Sequence, residues 1–306
     1  MPPSAYPPSE VRAMRRFALF IVCFTAIVLL GVSVPHRHHD VSAASQPQTG
    51  NWHTGDCEHN EHPWGQAHAC EMRRTTFSLP AGHLSVDTTN GGIDVVGEDR
   101  SDVELEARVN AWAPSDSEAK DELRQVVIDT DNGNLRDHGP HSHFFSRTGY
   151  SVDYHLHVPR HLAAELHTMN GGIDLTRLDG NLRFDTTNGG VSLDRLSGDV
   201  SGHTVNGGLN VSLAGDHWQG NGLHADTTNG GIDLRVPEHY NAHLETATVN
   251  GGINVDFPVT VQGTIKNRLS TDLGSGGSTV HIQTVNGGIT ISHSDTANQT
   301  SASVAD

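Results

Sequence analysis

Apolar and polar residues alternate in short runs from Thr75 to about His293. Triplets such as Ile93-Asp94-Val95 and Ile173-Asp174-Leu175 place a polar side chain between two apolar ones. This period of two is typical of a β-strand that buries one face. The pattern therefore predicts an all-β domain built from many short strands.

A repeated corner separates the strands. Asn-Gly-Gly occurs seven times, and Thr stands two residues before the Asn in every copy. The Thr, Asn and first Gly of the copies are Thr88, Asn90 and Gly91; Thr168, Asn170 and Gly171; Thr186, Asn188 and Gly189; Thr204, Asn206 and Gly207; Thr227, Asn229 and Gly230; Thr248, Asn250 and Gly251; and Thr284, Asn286 and Gly287. Successive Asn residues are 80, 18, 18, 23, 21 and 36 positions apart. We interpret the unit as about eighteen residues, with a degenerate copy near Asn267.

Two folds are compatible with this repeat. In an antiparallel meander, equivalent residues of consecutive units lie two strands apart, about 9.6 Å at a strand spacing of about 4.8 Å. In a β-solenoid each unit is one coil, so Thr stacks on Thr and Asn on Asn at every level. The strict repetition favours the solenoid, with a ladder of Thr residues beside Asn-Gly-Gly corners, and the meander is the alternative. Because Asn and Gly tolerate positive φ, we expect a left-handed backbone at the corners.

The interval of 80 residues holds one inserted element. Ser115 and Glu118 have the spacing of a capping box, and Ala119, Leu123 and Val126 follow on one face. This predicts one short helix between Pro114 and Val127. Two longer alternating segments flank it, at 103–111 and 152–158, and we expect both to be strands.

The beginning of the chain predicts export. Arg12, Arg15 and Arg16 precede eighteen uncharged residues, Phe17 to Val34, which is the lower limit for a spanning helix. We expect a cytoplasmic head at 1–16, a membrane anchor at 17–34, a His-rich tether at 35–74, the repeat domain at 75–293 outside the cytoplasm, and a disordered tail at 294–306. A cleaved signal segment, which would release the domain, is the alternative.

Charge and composition limit the possible classes of binding partner and the kind of core. The chain has 19 Lys and Arg against 36 Asp and Glu, a formal net charge of −17. This charge repels a phosphate backbone, so nucleic-acid binding is excluded as a function class. Only 5% of the residues are aromatic, which predicts a core of small aliphatic side chains.

The tether contains the strongest metal-like cluster. Its members are His53, Cys57, His59, His62, His68 and Cys70. Their spacing lacks the paired Cys-x-x-Cys or His-x-x-x-His arrangement of a zinc site. We favour a hydrophilic tether in which Cys57 and Cys70 form a disulfide, a bond that an exported segment permits. Metal scavenging by this tether is an alternative.

No catalytic or cofactor motif accompanies these patterns. The sequence contains no G-x-S-x-G, HExxH or P-loop sequence. Asp94, Asp174 and Asp233 recur at one position after the corner, but Ser, Asn and Thr replace them in other copies. We therefore expect an ordinary polar outward face rather than a calcium site, no cofactor, and no enzyme activity.

The repeat from Thr75 to His293 resembles a bacterial envelope family known as putative adhesins, first described as a domain of unknown function. Its Thr-x-Asn-Gly-x-Ile turns, inserted element and N-terminal membrane segment carry the resemblance. The resemblance implies a non-catalytic β-solenoid in the cell envelope with an adhesive or structural role. The expected partner is a polysaccharide, a cell-wall component or a protein. The alternatives are an accessory protein of envelope-stress signalling and a polysaccharide-modifying enzyme on a β-helix scaffold.

Overall fold

The computed structural model describes residues 52–57, 66–79, 81–140, 147–258 and 267–294. The predicted membrane segment 17–34, His59 and His62 lie outside the described residues. Within the described ranges, no helix is long and apolar enough to span a membrane.

The first half of the described chain contains the inserted element. In order it forms β1 (His53–Asp56), β2 (Ala67–Ser78), β3 (His83–Asn90), β4 (Ile93–Glu98), β5 (Asp102–Ala113), α1 (Asp116–Gln125), β6 (Val127–Asp129), a 3-10 turn (Asp131–Gly133), β7 (Asn134–His138) and β8 (Gly149–Pro159). Both long strands expected beside the helix are present as β5 and β8, each extending slightly beyond its predicted bounds.

The second half consists of strands alone. They are β9 (Ala163–Asn170), β10 (Ile173–Thr176), β11 (Asp179–Asn188), β12 (Val191–Asp194), β13 (Ser197–Asn206), β14 (Leu209–Ser212), β15 (Gly222–Asn229), β16 (Ile232–Val236), β17 (Ala242–Asn250), β18 (Ile253–Val255), β19 (Arg268–Leu273), β20 (Thr279–Asn286) and β21 (Ile289–His293). The all-β prediction is confirmed.

The strands form two sheets. Sheet A has eleven strands in the order β1-β2-β5-β8-β4-β10-β12-β14-β16-β21-β18. Sheet B has ten strands in the order β19-β17-β20-β15-β13-β11-β9-β3-β7-β6. At each Asn-Gly-Gly corner the chain leaves a strand of sheet B and enters a strand of sheet A.

Repeated strands pair in parallel and in register. On β11, Thr186 lies beside Thr168 of β9 and Thr204 of β13, and Asn188 lies beside Asn170 and Asn206. This is the stacking of a β-solenoid-like fold, with one coil for each repeat. The antiparallel meander is wrong for these coils.

The coils do not stack in chain order. The coil β20–β21 lies between β15–β16 and β17–β18, although β17–β18 comes first in the sequence. Among the described residues, the degenerate coil predicted near Asn267 is not found: β19, which follows Asn267, pairs antiparallel with β17. The order of the coils was not predictable either, because all coils have the same corner and spacing along the chain does not reveal which coil stacks on which.

The folded domain begins before Thr75. Within the segment expected to be a tether, β1 pairs antiparallel with β2, and β2 pairs with β5 along twelve residues. Arg73 is buried, and its guanidinium donates to the Val126 carbonyl at 2.6 Å and to the Leu123 carbonyl at 3.1 Å. The predicted domain boundary at residue 75 is therefore too late, because β2 pairs with β5 and its Arg73 donates to carbonyls at the end of helix α1.

The inserted helix α1 forms where the capping box indicates. Ser115 is the N-cap, its hydroxyl accepts from the Glu118 amide at 3.4 Å, and it donates to the Glu118 carboxylate at 2.9 Å. The first of these bonds satisfies a backbone donor that a helix start leaves unpaired. Ala119 is fully buried.

The core lies between the sheets. Inward positions on both sheets are small aliphatic residues such as Leu84, Val95, Ile173 and Leu182, all at most 1% exposed. Because successive side chains of a strand point to opposite faces, every coil gives one face to this core and one to solvent. The outer faces are thus free to differ among coils.

Lack of space, not backbone handedness, requires glycine at the corners. Among the first corner glycines, only Gly91 has φ in the left-handed region, at 137°. A Cβ added to Gly189 would lie 1.8 Å from the carbonyl oxygen of Gly171 on the neighbouring coil. The expected left-handed conformation is therefore wrong for most corners.

We predict that Gly189→Ala destabilises the domain by about 1–3 kcal/mol or more, because its methyl group collides with a backbone oxygen that the stack holds in place. The matched control is Gly190→Ala, whose Cβ would lie 3.5 Å from the nearest atom, the Gly208 carbonyl oxygen. Thermal unfolding followed by far-UV circular dichroism compares the two. Equal melting temperatures would contradict the steric explanation.

Candidate functional site

The Thr ladder lies inside the corner. All seven repeat Thr residues are at most 3% exposed. Each hydroxyl from Thr168 onward donates, at 2.8–2.9 Å, to the carbonyl of the first corner glycine on an adjacent coil, as Thr186 does to Gly171. These residues stabilise the stack and are not displayed to a partner.

The corner Asn residues form an exposed ridge. In spatial order they are Asn90, Asn170, Asn188, Asn206, Asn229, Asn286 and Asn250. From Asn170 onward, each side-chain nitrogen donates to the side-chain oxygen of the preceding Asn at 2.8–3.0 Å. These amides therefore point the same way, and within the ladder each pairing uses one of the two N–H donors and one of the two acceptor positions of an amide.

The outer face of sheet A carries a row of oxygen-bearing side chains in one register. We call it the sheet A row; its members are Asp94, Asp174, Ser192, Asn210, Asp233, Thr290 and Asn254. All are exposed or half-exposed. The three aspartates that the sequence singled out therefore share one row, but Ser192 and Asn210 separate Asp233 from the other two.

The charges differ along this row. Partial burial and the neighbouring Asp94 carboxylate raise the pKa of Asp174. His155 of β8 lies 3.2 Å from Asp94, and that hydrogen bond raises the pKa of His155. The row thus begins in an acidic pair with an imidazole beside it and continues as hydroxyl and amide groups, interrupted by the carboxylate of Asp233.

A cleft opens where the Asn ridge begins. It has a volume of about 480 Å³ and is lined by Thr89, Asn90, Trp112, Asp137, His138, Gly139, Pro140, Gly149 and Tyr150. The buried hydroxyl of Tyr154 donates to Asp137 at 3.3 Å. Burial raises the pKa of Asp137, and hydrogen bonds from Thr88, Tyr150 and Tyr154 oppose that rise.

The cleft was missed by sequence reasoning. Asp137 belongs to β7, which follows the partial repeat Asp131-Asn132-Gly133, and Trp112 and Tyr150 come from the two long strands. These residues converge only because β7 adds to the edge of sheet B next to β3. The partial repeat was the one available signal, and it forms the turn between the antiparallel strands β6 and β7 of sheet B.

The outer face of sheet B carries alternating imidazoles and carboxylates near its β17 end. We call this group the sheet B cluster; its members are His203, His224, His243, Asp226, Glu245, Asp272 and His281. Hydrogen bonds to Asp226 and Asp272 raise the pKa values of His203 and His243 respectively. The hydrogen bond from His281 lowers the pKa of Glu245, and burial and His281 lower that of His224.

The predicted metal candidates of the tether do not form a site in the described residues. Cys57 and Cys70 form a disulfide, so neither sulfur is a thiolate ligand. His53 and His68 lie on the exposed sides of β1 and β2. Across the described ranges, no group of three or more His, Cys, Asp or Glu side chains is arranged to hold a metal ion.

Comparison with known proteins identifies a family. The sequence model described as Toastrack DUF4097 matches residues 56–292. Among curated proteins, none matches this chain.

The solved structures that match this chain are distant from it in sequence. A putative cell adhesion protein from Clostridium sporogenes ATCC 15579 is 12% identical with a TM-score of 0.38, over 73% of this chain and 100% of that chain. A putative adhesin from Bacteroides fragilis NCTC 9343 is 11% identical with a TM-score of 0.35, over 73% and 97%. A putative lipid binding protein from Parabacteroides distasonis ATCC 8503 is 10% identical with a TM-score of 0.24, over 74% and 97%.

We predict that Thr186→Val destabilises the domain by about 1–2 kcal/mol, because it leaves the Gly171 carbonyl without the hydroxyl donor at 2.9 Å. Thr246→Val is the matched control, since the buried Thr246 hydroxyl has no hydrogen-bond partner. Urea denaturation of both variants measures the difference. A Thr246→Val variant that loses as much stability as Thr186→Val would show that the ladder bond is not the cause.

We predict that Asp137→Asn gains stability relative to the parent as pH rises above 3.8, the ordinary pKa of an aspartate side chain. Below this value the carboxyl is protonated in both the folded and unfolded states. Between this value and the elevated folded-state pKa, the unfolded parent releases the proton while the folded parent retains it, so the parent loses stability as pH rises and the variant does not. Urea denaturation across this pH range measures the difference in free energy of unfolding between the parent and the variant. A difference that does not change with pH would contradict the prediction.

Proposed function

This chain belongs to the Toastrack DUF4097 family, and we propose that it is a non-catalytic binding module of the bacterial cell envelope. In this proposal, residues 17–34 anchor it in the membrane with the β-domain outside the cytoplasm. Its function is adhesive or structural, and its partner is a polysaccharide of the cell surface or cell wall.

The sheet A row is the observation that carries the proposal. Its seven side chains lie on seven neighbouring strands, at the strand spacing of about 4.8 Å. Every member offers a carboxylate, hydroxyl or amide oxygen to solvent. A polysaccharide is also a regular array of hydroxyl groups, so a linear row of acceptors and donors matches its chemistry.

Rigidity of the row favours binding. Parallel backbone pairing fixes each strand against the next, and the Thr and Asn ladders fix the corners from which these strands begin. A backbone held in this way loses little freedom when a partner binds. Display on a preformed surface therefore needs no conformational change.

Charge restricts the class of polysaccharide. The chain carries a net charge of −17, and Asp94 and Asp174 lie side by side in the row. An acidic polymer would be repelled by this face, whereas a neutral or amino-containing one would not. We therefore propose a neutral or basic polysaccharide as the ligand class.

The test compares two variants of the full chain that alter the same three coils on opposite faces. Asp174→Ala/Ser192→Ala/Asn210→Ala removes the middle of the sheet A row. Glu165→Ala/Arg183→Ala/Ser201→Ala removes three neighbouring outward side chains of sheet B. Binding to immobilised neutral, amino-containing and acidic cell-wall polysaccharides is measured, with circular dichroism as a check on folding.

We predict that the sheet A variant weakens polysaccharide binding about tenfold or more, because at least two hydrogen bonds are lost, and that the sheet B variant binds like the parent. Equal weakening by both variants, or no binding by the parent, would overturn the proposal. New reducing ends or unsaturated products in the polysaccharide would instead support an enzyme.

A further inference from the structure

The sheet B cluster is separate from the proposed polysaccharide face. It lies on the opposite outer surface, on strands β13, β15, β20, β17 and β19. Its residues are far apart in the sequence and become neighbours only through the pairing of these strands. Two of its imidazoles, His224 and His281, are next to each other without a carboxylate between them.

The pairing of β15 with β20 places these imidazoles together. His224 and His281 are register partners on adjacent parallel strands. Their rings are stacked, with centroids 4.7 Å apart and an interplanar angle of 21°. Both side chains are partly exposed, His224 at 57% and His281 at 27%. Solvent and small solutes therefore reach the pair from the outer face.

Glu245 orients His281. Glu245 of β17 is the register partner of His281 on β20, and its carboxylate oxygen lies 3.1 Å from His281 Nδ1. An ionised carboxylate only accepts hydrogen bonds, so Nδ1 carries the hydrogen. In the neutral ring, Nε2 then has the lone pair. This is the arrangement in which a carboxylate fixes the tautomer of a metal-binding histidine.

The same carboxylate is held from its other side. His243 Nε2 lies 3.4 Å from the second oxygen of Glu245, and His243 Nδ1 lies 2.7 Å from Asp272 of β19. When His243 is doubly protonated, it donates to both Asp272 and Glu245 and so restricts Glu245 to the position that orients His281.

A further oxygen lies near His224. Asp226 Oδ1 is 3.8 Å from His224 Nε2, too far for a hydrogen bond, and the other oxygen of Asp226 is hydrogen-bonded by His203. His224 Nε2 is therefore not hydrogen-bonded to Asp226 and can act as a ligand.

We propose that His224 and His281 bind a divalent transition-metal ion of the zinc class through their Nε2 atoms, with Glu245 as a positioning residue. Imidazole is a preferred ligand of Zn²⁺, Cu²⁺ and Ni²⁺. Two imidazoles are sufficient for a surface chelate whose remaining positions are filled by water. The site uses none of the tether candidates, whose cysteines form the disulfide.

The test must distinguish this pair from the other histidines of a chain that contains 22. We therefore choose histidine-specific acylation of the full chain with diethylpyrocarbonate, with and without Zn²⁺, read for each residue by mass spectrometry. His167 is the internal control: it lies on the outer face of the same sheet, and its register neighbours are Asp87 and Asp185 rather than a second imidazole.

We predict that Zn²⁺ protects His224 and His281 from acylation at the same Zn²⁺ concentration. Protection of His167 should need a Zn²⁺ concentration at least about tenfold higher. A chelator should reverse the protection. Equal protection of His167 would mean adventitious binding to exposed imidazoles and would overturn the proposal. Protection of neither His224 nor His281 would do the same.

Variants separate the ligands from the positioning residue. His224→Gln should abolish protection of His281, and His167→Gln should leave it unchanged. Glu245→Ala should raise the Zn²⁺ concentration for half protection about tenfold or more, and Glu245→Gln, which still accepts from Nδ1, should recover most of this loss. Unchanged protection of His281 in His224→Gln would overturn chelation by the pair. Polysaccharide binding by sheet A is measured separately, so failure of one proposal does not affect the other.

Discussion

Every repeat turns at a point where the neighbouring coil leaves no space for a side chain. A Cβ on the first glycine of a corner would lie 1.8–2.0 Å from a backbone carbonyl oxygen, as at Gly189 and Gly287. The same carbonyls accept the buried Thr hydroxyls, and the Asn amides pair on the outside of the same turn. One close approach therefore explains why Thr, Asn and Gly recur together: each residue is needed for the contact between coils.

This constraint separates stability from function. Corners and inward aliphatic side chains repeat because each coil must match its neighbour, while the outward side chains of β10, β12 and β14 have no such requirement. The two outer faces have accordingly diverged. Sheet A presents a row of oxygen atoms, and one end of sheet B presents imidazoles interleaved with carboxylates. A single scaffold thus carries two surfaces of different chemistry without altering the corners.

Departures from the repeat produce the less regular features. The insertion between β5 and β8 brings Trp112, Asp137 and Tyr150 around a cleft at the edge of the stack. The coil β20–β21 enters between two coils that precede it in the chain and so places His281 between His224 and Glu245. In chain order, β17 would have followed β15 directly, and the pair of adjacent imidazoles would not exist.

The sequence by itself determined the all-β class, the positions of the corners and the capped helix, because each of these depends on residues within a few positions of one another. It also determined the Thr ladder, because the same Thr-x-Asn-Gly-Gly sequence recurs in every coil. Alternation specifies which face of a strand is buried, and Ser115 with Glu118 specifies where the helix begins. The tertiary structure alone decided the order of the coils, the start of the fold at β1 and β2, and the assembly of Asp137 and the sheet B cluster. The physical reason is that identical corners make coils interchangeable as neighbours. The local pattern therefore indicates that a coil will stack, but not which coil will be its neighbour. The identity of the neighbouring coil decides which outward residues lie side by side.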